Sequence, residues 1–405
     1  VTAATGARRV LVLNHFASPR GAPGGTRHLE LFGALDGWDP EIVAANRNYL
    51  TRLRQTSGDP TGRVRYRTVW TWPYAGNGIT RVLNWASYAV TAGLVGLFGR
   101  RPDVVVGSTP HLLAPVAAWF VARARRAAFV LEVRDLWPEV LVEMGQLDRG
   151  SVLYRGLDAL AGWIVARADA VIVLAPGVID ALVERGADPD VIHLVPNGAD
   201  PLAIPDDRDA LRRRLDVDGV VVVYAGAHGP ANGLDLALDA AVDLAGTHPE
   251  VRFLLVGDGP AKPALVERVR RERISNVRLD AARPKDEMAA LLGAADVGLH
   301  VLADVGLFTY GVSPNKVFDY MAAGLPVVTN TQGDVGRLVT ESGAGVAVPA
   351  GDLAAGIGAL VDAGPEERAA MGRRGRAVIA RDYAIAPRAR SLDAALRDAV
   401  ERRWR

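Results

Sequence analysis

The chain has 405 residues, 49% of them apolar, a formal net charge of +1 and no cysteine. A balance so near neutral gives no bulk attraction to nucleic acid. The missing thiols exclude disulfides, thiolate metal sites and cysteine nucleophiles. The length suits two domains of ordinary size.

Residues 1–9 hold no apolar run, so no signal peptide is expected there, and the chain reads as cytosolic. A first buried strand is predicted at 8–13, followed by a glycine-rich loop at 19–26 and a helix from about Arg27. In that loop Gly24 and Gly25, with Thr26 behind them, would let backbone approach a diphosphate closely. Further strands are predicted at 41–44, 103–107, 128–133, 170–174 and 191–195. Helical patterns lie between most of them, as at 112–125 and 151–168. Short β-branched runs alternating with helices mean a parallel sheet built from right-handed crossovers.

Several side chains of this half invite functional readings. Trp70, Trp72, Tyr74, Trp85 and Tyr88 crowd one stretch. Most are expected in the core, yet their faces also suit sugar rings, polyisoprenyl chains or a membrane interface. The apolar run 88–98 is too short to span a membrane. Arg47, Arg52, Arg54, Arg63, Arg65 and Arg67 form either a solvated basic face or an attractor of lipid diphosphate and anionic membrane. Arg134 and Asp135 follow a central strand, where they could orient a sugar or bind an acceptor. The alternative is an internal ion pair with Glu132 or Glu139. His15 and His111 stand at loop edges, and none of the seven histidines has metal-ligand spacing.

The turn-rich segment 196–201 breaks the pattern, which then restarts. Strands are predicted at 220–225, 251–256, 277–279, 297–300, 326–329 and 345–348, with a helix at 234–245 and a closing helix from Arg388. A loop at 226–233 includes Gly226, His228 and Asn232. Gly257-Asp258-Gly259 ends a strand as a turn that glycine conformations would require. Arg283, in Ala281-Ala282-Arg283-Pro284, is either near a bound base or a solvated loop arginine. Ser313-Pro314-Asn315-Lys316-Val317 opens a helix, with serine or asparagine as the cap and proline in its first turn. The positive end of such a helix is an anion site. Lys316 adds a cation, and Asp319 lies one turn below. Phosphates at the tip and ribose hydroxyls at the carboxylate would suit a nucleoside diphosphate.

Tyr224-Ala225-Gly226, Gly233-Leu234-Asp235, the 256–260 turn, Ala294-Ala295-Asp296-Val297 and the 314–328 block occur in this order. Together they resemble the retaining GT-B glycosyltransferases of family 4. In the first half, Pro23-Gly24-Gly25-Thr26-Arg27-His28, residues 132–139 and Val195-Pro196-Asn197-Gly198-Ala199-Asp200 resemble a subgroup making bacterial surface polysaccharides. Its best-known type is the O-antigen and capsule N-acetyl-L-fucosamine transferase. The resemblance implies an α/β chain of GT-B form, two doubly wound Rossmann-like domains facing a central cleft. Residues 1–198 would form the acceptor side and 199–387 the nucleotide-sugar side, with 388–405 a helix crossing back to the first domain.

The sequence also departs from the family pattern. Gly311 stands where the first glutamate of a Glu-x7-Glu pair would be, with Asp319 at the second. The usual loop arginine and lysine fall on Ala227 and Asn232, and the usual His-Asp pair reads Arg134-Asp135. Lys316 and the helix start must then take more of the phosphate charge, together with Arg134. The resemblance implies transfer from a UDP-sugar, of N-acetylhexosamine type, to a hydroxyl of a glycan, a lipid-linked sugar or a natural product. It also implies retention of configuration, no metal and no cofactor. Lys316, Arg134 and Asp135 would serve catalysis. The donor would meet Gly24, Gly25, Thr26, Gly226, His228, Asn232, Gly257, Arg283, Ser313, Pro314, Asn315, Val317 and Asp319. A UDP-sugar 2-epimerase on the same fold and a non-catalytic nucleotide-sugar-binding homologue are the rival readings.

Overall fold

A computed structural model describes residues 6–405 apart from 20, 23, 50, 59–61, 75, 77, 285–286 and 304–312. The chain divides into two compact units, Val1–Pro196 with Ile385–Arg405, and Asn197–Ala384.

The first unit is a seven-stranded parallel sheet. Its strands are β1 (Arg8–Leu13), β2 (Trp38–Ala45), β3 (Arg65–Val69), β4 (Val104–Ser108), β5 (Ala128–Val133), β6 (Ala170–Val173) and β7 (Ile192–Leu194). The order β3-β2-β1-β4-β5-β6-β7 reverses direction between β1 and β4. Loops at the carboxyl ends of those two strands therefore meet at the switch point, where doubly wound sheets bind ligands. Strands β4, β5 and β6 are buried along their whole length, as the apolar runs predict.

β3 is an addition to the expected strands. Its sequence, RYRTV, alternates rather than runs apolar, because it is an edge strand. Tyr66 turns inward, while Arg65 and Arg67 face Asp39 and Glu41 of β2 at 3.6 and 3.2 Å. The closing helix runs Ile385–Arg403, starting three residues before the predicted point. It lays Ile385, Ala389, Leu392, Ala395, Leu396 and Ala399 against the first unit's core. The spacing of three and four makes that stripe one face of the helix. Each of its buried leucines contributes about 1.5–3 kcal/mol.

The second unit is a six-stranded parallel sheet ordered β10-β9-β8-β11-β12-β13. These strands are β8 (Val220–Ala225), β9 (Val251–Val256), β10 (Val277–Asp280), β11 (Val297–His300), β12 (Val327–Thr329) and β13 (Gly345–Ala347). The switch point lies between β8 and β11. Two apolar cores cover its faces, one around Val221, Val223 and Tyr320, the other around Tyr224, Leu238 and Phe253. Each unit thus shows the doubly wound form that the sequence predicts.

Candidate active site

In the second unit the site is built on the helix Asn315–Ala323. Two contacts set its place. The Tyr320 hydroxyl accepts the Ala225 N–H at 2.8 Å, tying the helix to the end of β8. The Tyr320 ring also lies so close to β11 that a Cβ on Gly298 would stand 2.6 Å from it, so only glycine fits there.

The helix start differs from the predicted cap. Pro314 is the capping residue, in an extended conformation, and no side chain bonds to the helix N–H groups. Ser313 turns instead to Asn197. Its hydroxyl accepts the Asn197 N–H at 2.9 Å, and its carbonyl accepts the Asn197 side-chain amide. Val317 is buried and its N–H reaches the Pro314 carbonyl at 3.3 Å, which removes it from the expected anion-binding set. The N–H groups of Asn315 and Lys316 bond to no described residue. Asn315 is exposed, and Asp319 is half-buried one turn further on. Gly311, the departure from the family's glutamate, lies outside the described residues.

Lys316 folds back over the loop that follows β8. Its Nζ donates to the Tyr224 hydroxyl at 2.9 Å and to Asn232 Oδ1 at 3.1 Å, and sits 4.3 Å above the Tyr224 ring. No carboxylate pairs with it among the described residues. Loss of solvent lowers its pKa to about 7. Asn232, which stands where the family carries a cation, here holds another residue's cation. Tyr224 does the same and was not among the predicted site residues. It was legible only as part of a strand-end motif, since its role depends on a lysine 92 positions away.

The glycines of this region act through close approach. Gly226 donates its N–H to Val256 O at 3.0 Å, and a Cβ there would meet Lys316 Cε at 3.1 Å. Gly257 donates to Asp280 O at 3.2 Å. A Cβ on Gly257 would fall 1.8 Å from the Gly226 carbonyl oxygen and 2.9 Å from the His228 ring. Neither Gly257 nor Gly259 has positive φ, so the expectation of a turn set by glycine conformation is corrected. The missing side chain is what the fold needs. Gly257→Ala should destabilise the protein by about 1–3 kcal/mol through overpacking. An unchanged denaturation midpoint would show that the loop yields freely.

His228 is fully buried and neither ring nitrogen has a hydrogen-bond partner among the described residues. Burial first, then the charge of Lys262, lowers its pKa to about 4, so the ring is neutral. Lys262 is itself bound to Gly257 O, Asp258 Oδ1 and Asp280 O. Arg283 is partly exposed and stands 3.5 Å from both Asp280 and Glu287. The backbone beside it is also engaged, with the Ala282 N–H held by Asp258 at 2.8 Å.

In the first unit the predicted residues gather at the β1, β4 and β5 ends. Gly24 has φ +123° and packs against Ser18 and Tyr49, while a Cβ on Gly25 would enter open space. Pro23 lies outside the described residues. Thr26 precedes the helix Arg27–Gly33 without capping it, and its hydroxyl donates to Glu30 at 2.8 Å. The N–H groups of Arg134 and Asp135 point at Thr109 Oγ1, at 2.8 and 3.4 Å. Among the described residues Arg134 forms no ion pair with Glu132 or Glu139, whose bonds go to other groups. Glu139 binds Arg185 and Tyr154. Glu132 accepts from His28 Nε2 at 2.6 Å, Ser108 Oγ at 2.6 Å and Arg27 at 3.3 Å. Arg134 keeps a buried, unpartnered Nε. Burial raises the Asp135 pKa, with Arg134 opposing. His15 and His111 stand in the loops after β1 and β4, but neither is open to solvent. They are buried and meet each other at 2.7 Å, and burial holds both well below the usual imidazole range.

Two family descriptions match the chain in succession. The "Glycosyl transferase 4-like domain" matches residues 25–198, and "Glycosyl transferases group 1" matches residues 219–363. The chain is a glycosyltransferase of the GT-B fold. WbjE of Pseudomonas aeruginosa, a probable glycosyltransferase, is 27% identical over 291 residues, 70% of this glycosyltransferase and 72% of that protein. A D-inositol 3-phosphate glycosyltransferase of Acidothermus cellulolyticus is 30% identical over 164 residues, 39% of this chain and 32% of that one. Among solved structures, Anabaena HepE in complex with UDP-glucose matches at TM-score 0.69 and 18% identity, covering 96% and 99% of the two chains. Sucrose-phosphate synthase of Thermosynechococcus elongatus matches at TM-score 0.72 and 18% identity, over 96% and 98%. These last two are likenesses of fold. Among the described residues of the glycosyltransferase, no three His, Asp or Glu side chains group as a metal site.

Proposed function

We propose that this glycosyltransferase moves a sugar of N-acetylhexosamine type from a UDP-sugar to a hydroxyl of a glycan, lipid-linked or natural-product acceptor, with retention and without a metal. One observation carries the donor reading. Lys316 is a half-buried cation that only neutral partners hold, beside two helix N–H groups with no described partner. A group so placed lacks an anion, and a diphosphate supplies one. That HepE structures contain UDP and UDP-glucose supports uridine as the base. The resemblance of residues 23–28, 132–139 and 195–200 to the fucosamine-transferase pattern is the ground for proposing an N-acetylated sugar.

In this reading Lys316 and the N–H groups of Asn315 and Lys316 stabilise the charge that develops on the leaving UDP. The bond from the anomeric carbon to the phosphate oxygen breaks, and a bond to the acceptor oxygen forms on the same face. The acceptor's proton passes to the departing diphosphate. Arg134 and Asp135 orient the sugar or the acceptor. A cytoplasmic enzyme, peripheral at the inner face of a membrane when its acceptor is lipid-linked, fits this scheme.

Asp319 is assigned to the ribose hydroxyls, because it lies one turn below the phosphate end of its helix. Asp319→Ala should weaken UDP binding by about 1.5–3 kcal/mol, the range for a charged hydrogen bond. Equal affinity of variant and parent would remove the assignment. The whole reading is tested by incubating the enzyme with UDP-N-acetylhexosamines and UDP-hexoses and following UDP. Slow UDP release, preferring the N-acetylated donors, is expected. A new sugar nucleotide without UDP release would establish an epimerase instead.

A further inference from the structure

The helix Ile79–Phe98 is built inside out. Its buried side holds Asn84, Tyr88, Ala92, Gly93 and Gly96, which are small or polar apart from the tyrosine. Its large apolar side chains face solvent: Ile79 is 77% exposed, Val90 61% and Phe98 83%, with Val82, Leu83 and Leu94 also exposed. At 100° per residue these six fall within one stripe of about 160°. An ordinary surface helix reverses this arrangement. The helix carries one charged residue, Arg81, and no acid.

The charges around it are mostly basic, although Arg65 and Arg100 pair with Asp39 and Arg67 pairs with Glu41. Nine arginines and one aspartate lie between Ile42 and Pro102, in a chain whose net charge is +1. Trp70 and Trp72, 54% and 45% exposed, come just before the helix. At its other end Arg125 donates to the carbonyls of Leu97 and Gly99. That contact brings the basic end of the helix Leu113–Arg125, with Arg123 and Arg126, beside Phe98. An exposed apolar stripe, with Trp70 and Trp72 held alongside the helix by Thr91, Ser87 and Asn84, and an arginine-rich surround match the chemistry of an anionic bilayer surface. No helix of the described residues is long and apolar enough to cross a membrane, so any membrane contact through this helix is at the surface.

We infer that the glycosyltransferase docks on anionic lipid through this stripe, with Ile79, Leu83, Val90, Leu94 and Phe98 in the interface and the arginines over the headgroups. The inference names a surface for the peripheral contact proposed above, but it does not depend on the donor assignment. Lipid binding and UDP release are separate measurements, and either can fail alone.

The experiment is co-sedimentation of the full chain with large unilamellar vesicles of phosphatidylcholine, with and without about one-third phosphatidylglycerol. Binding to the anionic vesicles, weakening as salt rises, is expected. The double variant Leu83→Glu/Leu94→Glu should reduce that binding about tenfold or more while leaving UDP affinity and thermal stability unchanged, because both side chains are already exposed. No binding to anionic vesicles, or binding that the variant leaves intact, would overturn the inference. Sedimentation without vesicles covers the other occupant. A dimer of the parent that the variant disperses, together with no lipid binding, would assign the stripe to a second copy of the chain.

Discussion

Replacing Lys316 by alanine should lower turnover about 10²–10³-fold, the cost of removing one preorganised donor from a developing anion. Binding of uridine itself should change little, because the loss falls on the diphosphate. Lys316 also sets a pH dependence. In the free protein burial holds its pKa at about 7. A bound diphosphate favours the charged form and raises that pKa. The complex therefore holds the proton more tightly than the free enzyme, and binding takes up a proton at and above pH 7. Affinity for a UDP-sugar, whose diphosphate keeps its charge over this range, should be full below about pH 7 and fall as pH rises through that value. Calorimetry in buffers of different ionisation heat measures the uptake directly. Lys316→Arg should remove the pH dependence, since arginine stays charged. Unchanged turnover in Lys316→Ala would move the charge to another group, with Arg134 the next to test.

Glu132→Ala should destabilise the protein by about 3–5 kcal/mol, because it leaves a buried guanidinium without its counter-charge. Arg27 and Glu132 are both nearly inaccessible, with side chains 5% and 4% exposed. Arg27 additionally donates to the carbonyls of Val195 and Pro196, each at 2.7 Å, where the chain leaves the first unit. His28 completes the set as a neutral ring. Its Nδ1 accepts from Asn14 at 2.9 Å and its Nε2 donates to Glu132, as its burial-lowered pKa requires. Glu132→Gln keeps the shape but not the charge, so it should recover only part of the loss. Urea denaturation of the three proteins decides the matter. A Glu132→Ala variant within 1 kcal/mol of the parent would mean that water reaches Arg27 and replaces the carboxylate.

The strands with continuous apolar runs were legible in the sequence, because burial on both faces leaves little else for them to be. β3 was not, because an edge strand needs one apolar face only and its arginines read as a basic surface. The helix proposed to meet the diphosphate was legible from Pro314, Lys316 and Gly324, but its cap was assigned to the wrong atoms. A serine before proline looks the same whether it turns to the helix or to Asn197, and only the fold decides between them. The network of Glu132 was hidden for the same reason. Its partners Arg27, His28 and Ser108 lie 105, 104 and 24 positions away. Local sequence carries turns, runs and periods, whereas the pairing of charges depends on which strand ends meet.

The closing helix has a consequence for how the protein is made. The ribosome releases the first sheet long before residues 385–399, whose side chains cover one of its faces. Until they arrive, the nascent first unit shows an apolar surface with nothing to bury it. The second unit, by contrast, is one uninterrupted stretch of chain and contains all of its own core. Maturation therefore runs against the order of synthesis: the unit begun second can be finished first, and the one begun first cannot close its core until residues 385–399 emerge.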